Sequence, residues 1–288
     1  VQHHHAHAVS VMAEHGLEKP VLAIILDGTG YGTDGTIWGG EILKVTLTDF
    51  DRIGHLTHLP LPGGDIAAYE PWRVALSLHR IYDSSLTLPL SLSEIDKMKS
   101  KAVLSMLENN FNCPITSSCG RLFDGVSSLL GIRHFNSYEG QAAIELETLA
   151  WKSATSSWTN DLILYMNKNI HLSPVSTNGI WEISSTEFVK VILDLIEKGT
   201  TVSAVALEFH FMVIQQFTNL VRRLAEETGI DQIVLSGGCL QNSLLLQGFI
   251  HALTHKGLKP FTASKIPSND GGISLGQAVI GGLSHVYS

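Results

Sequence analysis

Residues 1–9 read Val1-Gln2-His3-His4-His5-Ala6-His7-Ala8-Val9, with four histidines in the five positions from 3 to 7. A purification tag is an unbroken run beside linker residues. This run is broken by Ala6 and continues through Val11-Met12-Ala13 to Gly16. That pattern predicts a helix stopped by a C-terminal glycine. On a helix His3 and His7 lie four apart on one face, where two imidazoles can share a metal ion. His4 and His5 point elsewhere.

Outward from this helix, Pro20 to Leu26 is a continuous apolar run that predicts a buried strand. It ends in Asp27-Gly28-Thr29-Gly30-Tyr31-Gly32. Further strands are expected over Thr36–Glu41 and Ile42–Leu47, the first closing a glycine-turned hairpin. Leu61-Pro62-Gly63-Gly64-Asp65 reads as a loop and leads, past Glu70-Pro71-Trp72-Arg73, into a helix to about Ile81. Residues 84–114 read as a polar helical hairpin, and 152–186 as polar and β-like. Helices are expected after Cys119, from Ser137 to about Trp151, over Val189–Ile196 and over Val202–Glu227. A strand, Asp231–Leu235, runs into Ser236-Gly237-Gly238-Cys239-Leu240-Gln241-Asn242 and a helix from about Ser243. A last acidic turn, Asn269-Asp270-Gly271-Gly272, opens the final helix.

Several of these residues can carry chemistry, and each has an ordinary alternative. Asp27 ends a buried strand, where ligands of α/β folds gather, and the glycines after it let backbone amides approach phosphate. An Asp-Gly hairpin turn is the alternative. Gly237-Gly238 repeats the arrangement at a helix N-terminus, which attracts anions; the alternative is a tight strand–helix turn. Asp124 and Asp270 each read as helix caps when taken alone. Arg73 fits an anion contact or a surface bridge. Cys239 reads as a small packed residue rather than a nucleophile, and His210, between Phe209 and Phe211, as a core histidine. His251 and His255 are four apart but read as a solvated helix face, and His171 is one of several scattered histidines. Two histidines one helical turn apart, two aspartates at strand or turn ends and two glycine turns are together more specific than any part. Two imidazole nitrogens with two carboxylates make a mixed site suited to Fe(II), Zn(II) or Mn(II).

Composition narrows the classes. The chain has 288 residues, 44% of them apolar, which suits one large domain or two lobes. A formal charge of −8 without a basic stripe disfavours nucleic-acid binding. No apolar run reaches the roughly 18 residues of a membrane span. Three cysteines, Cys113, Cys119 and Cys239, make no disulfide framework and fit a reducing cytoplasm. No signal peptide is visible, and a site motif at residue 1 without an initiator Met reads as part of a longer protein.

Taken in order, VQHHHAHA (1–8), LDGTGYG (26–32), IWGGE (37–41), LPGG (61–64), EPWR (70–73), SCGRLFDGVSSLLG (118–131), YEGQAA (138–143), SGGCLQN (236–242) and SNDGG (268–272) resemble the C-terminal part of the HypF family. These are the carbamoyltransferases of nickel–iron hydrogenase maturation. The resemblance implies an α/β, two-lobed actin-like ATPase (ASKHA) fold with a nucleotide cleft between lobes. Residues 1–288 would form the carbamoyltransferase domain of a longer protein. Lobe I would cover about 1–118 plus the C-terminal helix 271–288, and lobe II about 119–270.

It further implies a divalent metal, iron or zinc, on His3, His7, Asp27 and Asp270, with His7 and Asp27 catalytic. An ATP- or AMP-type nucleotide would contact Gly28, Thr29, Gly30, Asp124, Gly140, Gly237, Gly238 and Asn242. Arg73 is a candidate contact for the carbamoyl group or phosphate. A YrdC-like activating domain, absent from this chain, would make carbamoyl-adenylate from carbamoyl phosphate and ATP. This domain would pass the carbamoyl group to the C-terminal cysteine of HypE, in the cytoplasm. Rival expectations are an O-carbamoyltransferase or tRNA threonylcarbamoyl transferase of the same fold, a sugar kinase or chaperone-like ATPase, and a non-catalytic metal-dependent docking module.

Overall fold

A computed structural model describes residues 1–82, 90–168 and 174–286, the side chains of residue 90 and of 284–286 excepted. His171 lies outside the described residues, as does part of the 84–114 stretch. The helices are α1 (His3–His15), α2 (Ile66–Tyr69), α3 (Pro71–Tyr82), α4 (Lys97–Glu108), α5 (Cys119–Leu129), α6 (Gln141–Ser153), α7 (Trp158–Met166), α8 (Ser185–Glu197), α9 (Val202–Thr228), α10 (Ser243–His255) and α11 (Ile273–Val286). The strands are β1 (Val21–Tyr31), β2 (Ile37–Val45), β3 (Phe50–Leu56), β4 (Leu59–Pro60), β5 (Ile115–Thr116), β6 (Val175–Thr177), β7 (Ile180–Ile183), β8 (Gln232–Ser236) and β9 (Lys259–Thr262).

The run from Val21 to Leu26 explains the architecture. Its side chains alternate between two faces, so an unbroken apolar run needs a core on each side. Leu22, Ile24 and Leu26 join one core, built with Val126 of α5, Phe209 and Phe217 of α9 and Phe249 of α10. Val21, Ala23 and Ile25 join the other, with Val9 and Met12 of α1 and Ile280 of α11. β1 is therefore an interior strand of the sheet, whose order is β6-β7-β3-β2-β1-β8-β9, with β5 pairing β2 and β4. β2 and β3 follow β1 as an antiparallel meander, while β8 and β9 add in parallel on its other side.

Several expectations change here. The strands expected over 36–41 and 42–47 are one strand, β2, with a register shift against β3 at Ile42/Leu43. The Gly39-Gly40 pair does not turn the chain, because buried Glu41 accepts both of their amides, at 3.1 and 3.2 Å, with Ser117 and Arg52 on its remaining capacity. β3 was not anticipated. The stretch read as β-like holds the strands β6 and β7 but also, before them, α7, whose Trp158, Leu162, Tyr165 and Met166 recur at helical spacing and are buried. The sheet joins strands from early and late in the chain, β1 pairing with β8 and β3 with β7.

α1 is buried from His4 to Met12. An all-round buried helix needs a close neighbour, and α11 supplies it. A Cβ on Gly276 would stand 2.0 Å from the Ala6 carbonyl oxygen, so only glycine permits this crossing. Ser10 Oγ also donates to Gly272 O at 2.6 Å.

Candidate functional site

The C-terminal end of β1 delivers Asp27, α1 delivers His3 and His7, and the turn before α11 delivers Asp270. His3 Nε2 lies 3.1 Å from Asp27 Oδ2 and 3.4 Å from Asp270 Oδ1. His7 Nε2 lies 3.2 and 3.3 Å from the same two oxygens. One donor atom from each residue falls within 4.8 Å of every other. Asp27 and His7 are buried, His3 is half-buried, and Asp270 closes the cluster from the solvent side.

The surroundings fix each donor. Asp27 Oδ1 accepts from Gly28 N (2.9 Å) and Gly238 N (3.1 Å), which leaves Oδ2 toward the histidines. Burial works to raise this carboxyl, but the hydrogen bonds from His3, His7 and Gly28 outweigh it and hold it well below the usual carboxylate range. The bond to Asp27 raises the His3 imidazole against the opposing effect of burial. Ser236 Oγ donates to Ser268 O (3.5 Å) and stands 3.3 Å from His7 Nδ1. With its proton so placed, the hydroxyl oxygen accepts from His7 Nδ1–H, and Nε2, which donates to the carboxylates here, would turn a lone pair to a cation bound among them. A ligating histidine needs its other nitrogen held in this way. The donor set, two imidazole nitrogens and two carboxylates converging on one point, fits a first-row divalent cation.

The sequence placed His4 and His5 off the ligand face, and so they lie. His5 Nε2 meets Thr46 O at 2.9 Å. His4 is wholly buried, 5.9 Å from the Trp38 ring centroid, with Nε2 unpartnered against Gly30, and burial pushes it down to about 4. Neither aspartate in question serves as a cap. Asn269, not Asp270, caps the turn before α11, and Ser118, not Asp124, caps α5.

Around the cluster, the ends of β1 and β8 meet the starts of α5 and α10. Three of the glycine amides expected to hold phosphate are bonded within the protein: Gly28 N and Gly238 N on Asp27, and Gly237 N on Ser268 O at 3.0 Å. Gly237 has φ +105°, and a Cβ there would meet Leu26 O at 2.2 Å, so the glycine serves the close strand–turn approach. Thr29 is exposed, and Gly30 packs on His3 and His4. Asp124 lies in the middle of α5, wholly buried. Burial pushes it up to about 6 against the attraction of Arg121, whose Nη2 is 2.9 Å from Asp124 Oδ2. Asn136 and Glu139 face it from the loop that ends at Gly140, itself in the left-handed region at φ +75°. Asn242 caps α10 through Leu245 N (3.0 Å).

Arg73 pairs with Glu70, stacks 5.0 Å over Trp72 and lies against Gly63. These contacts tie it to its own helix start and loop rather than to the histidine–aspartate cluster. Cys119 and Cys239 adjoin each other, and that contact together with burial raises the Cys239 thiol well above its ordinary value, as expected for a packed residue. Sequence reasoning missed Ser236 and Arg121. The only signal was position, Ser236 before the glycine pair and Arg121 one turn before Asp124.

A family model described as carbamoyltransferase, Kae1-like domain, second subdomain, matches residues 23–277. The carbamoyltransferase HypF of Rhizobium leguminosarum bv. viciae is 38% identical over 96% of this chain and 34% of its own length. A carbamoyltransferase HypF homolog of Cupriavidus necator is 36% identical over 96% of this chain and 69% of its own. A crystal structure of full-length HypF in the phosphate- and nucleotide-bound form superposes with a TM-score of 0.87 and 39% identity, covering 98% of this chain and 42% of that one. The chain thus spans about a third of the Rhizobium relative and well under half of the solved structure.

Proposed function

The chain belongs to the HypF carbamoyltransferase family, where it matches the second subdomain of the Kae1-like domain, and on that premise we propose that it carries out the transfer half of the family's reaction. The carbamoyl group would come from carbamoyl-adenylate, made from carbamoyl phosphate and ATP by a YrdC-like domain of the longer protein. The acceptor would be the C-terminal cysteine thiol of HypE, in the cytoplasm. The observation that carries this reading is the convergence of His3, His7, Asp27 and Asp270 beside the glycine turns that end β1 and β8.

In the transfer, the acceptor sulfur gives up its proton and bonds to the carbamoyl carbon. The bond from that carbon to the adenylate phosphate oxygen breaks, and AMP leaves. Iron or zinc on the four residues would polarise the carbamoyl carbonyl or hold the phosphate. The chain's own contribution is placement. Asp27 Oδ1 is locked by two amides, which aims Oδ2, and Ser236 sets His7. The nucleotide would lie along the starts of α5 and α10, near Asp124, Gly140, Gly238 and Asn242, with Thr29 and Gly30 at its edge. A solved relative in a phosphate- and nucleotide-bound form supports nucleotide binding in the family. We draw no role for Arg73 from its pairing with Glu70.

The test uses the complete protein with carbamoyl phosphate, ATP and a partner peptide ending in cysteine, read by mass spectrometry. A mass gain of one carbamoyl group on the terminal cysteine is expected. A gain on a hydroxyl compound or tRNA instead would move the assignment to another carbamoyl acceptor.

A further inference from the structure

His210 is wholly buried in α9 and is not one of the four clustered residues. Its Nδ1 lies 2.7 Å from Ala206 O. A carbonyl only accepts, so Nδ1 carries the ring proton, and in the neutral ring Nε2 is an acceptor. Asn242 Nδ2, which only donates, faces Nε2 at 2.9 Å. Asn242 Oδ1 then accepts from Leu245 N at 3.0 Å. The chain of bonds runs from a backbone acceptor to a backbone donor, so it has a single proton arrangement. Tautomer and amide orientation are fixed from both ends. The ring also packs edge-on against Phe123, centroids 5.2 Å apart, next to Asp124 in α5. Its charged neighbour Glu147 is engaged by Ser243 N and Ser243 Oγ at the start of α10 and by Trp151 Nε1 of its own helix, α6.

We infer that His210 is a positioning residue that sets the Asn242 side chain for the nucleotide. With one N–H on His210 and one oxygen lone pair on Leu245, the Asn242 amide keeps one N–H and one lone pair. Both point in fixed directions, and together they suit the polar edge of an adenine or its ribose. The same ring braces Phe123, so it holds the α5 side of the site in register with the α10 side. The inference rests on reading Asn242 as a nucleotide contact.

The test compares ADP affinity of the complete wild-type protein, His210→Gln, His210→Leu and Asn242→Ala, with thermal stability measured for each. A glutamine carbonyl can replace Nε2 as acceptor, whereas leucine fills space without one. His210→Gln should bind ADP within about threefold of wild type. His210→Leu should weaken binding about tenfold or more, beyond what its melting temperature shares with the Gln variant. The Leu/Ala double variant should bind no worse than Asn242→Ala alone. Equal affinities for the Gln and Leu variants, or additive losses in the double variant, would overturn the inference. In parallel, protein labelled with nitrogen-15 histidine reports the ring directly. Wild type should show Nδ1 protonated and Nε2 bare, with only Nε2 shifting in Asn242→Ala. Wild-type protein that binds no ADP would overturn the nucleotide reading and the positioning role with it, while the ring resonances would still decide whether the His210–Asn242 bond exists.

Discussion

Among single residues, His7 and His4 separate ligand from scaffold. His7→Ala/Asp270→Ala removes one nitrogen and one oxygen donor from the cluster, so the complete protein should lose its bound metal. Elemental analysis checks this, and metal content equal to wild type would sink the assignment. His4→Ala should keep the metal, because its ring packs on His3, Trp38 and Gly30 without placing a donor atom in the cluster. It should not be mild for the fold, however. Emptying a wholly buried ring position costs about 1–3 kcal/mol, visible as a lower denaturation midpoint.

His210 gives a pH signature. Burial pushes it down to about 4, with the bond to Ala206 O opposing and Glu147 the charged group facing it. Its folded value lies below its unfolded value near 6.5. The neutral ring therefore contributes stability that is fully present above about pH 6.5 and is lost as pH falls toward 4. Between pH 7 and 5 wild type should lose roughly 2 kcal/mol more than His210→Gln. Parallel denaturant titrations that give the same loss for both proteins would refute this.

At the level of elements, the site depends on three junctions: α1 on α11, β1 beside β8, and the starts of α5 and α10. Gly276 is the narrowest point of the first. Gly276→Ala puts a methyl into the Ala6 carbonyl, so α11 must move away from α1. About 1–3 kcal/mol of stability should be lost, together with metal, since Asp270 is anchored just before α11. Calorimetry with metal analysis checks both. Ser236 belongs to β8 yet holds a histidine of α1. Ser236→Ala should weaken metal binding about 10–100-fold with the sheet intact. A metal titration showing unchanged affinity would remove Ser236 from the site.

For the whole molecule, the four donors come from the two ends of the chain, with His7 and Asp270 separated by 263 positions. Neighbouring contacts repeat that closure: Ser10 to Gly272, and Glu14 to Ser264 and Lys265. A cation bound only by the folded state stabilises it by mass action, roughly 3–4 kcal/mol when present at 100–1,000 times its dissociation constant. A chelator should therefore lower the melting temperature of the wild type and leave that of His7→Ala/Asp270→Ala unmoved. An equal shift in both proteins would mean that the cluster is not where the metal binds.

The sequence alone determined what lies on single elements. The helix from His3 to Gly16, the apolar run Val21–Leu26, the pairing of His3 with His7 and the acidic glycine turns all follow from short-range periodicity and turn chemistry. Their recurrence in family order pointed to the HypF carbamoyltransferases. Tertiary structure alone decided the rest. Glu41 reads as an ordinary strand residue until its carboxylate is found under Gly39 and Gly40, which is why β2 runs straight through them. The Gly28 and Gly238 amides read as free for phosphate until both are found on Asp27. His210 reads as core until Asn242, thirty-two residues on, meets its ring. The physical reason is common to all three. A side chain's hydrogen-bonding capacity is local and visible in the sequence, but its partner is set by which strands and helices pack together, and that pairing is long-range.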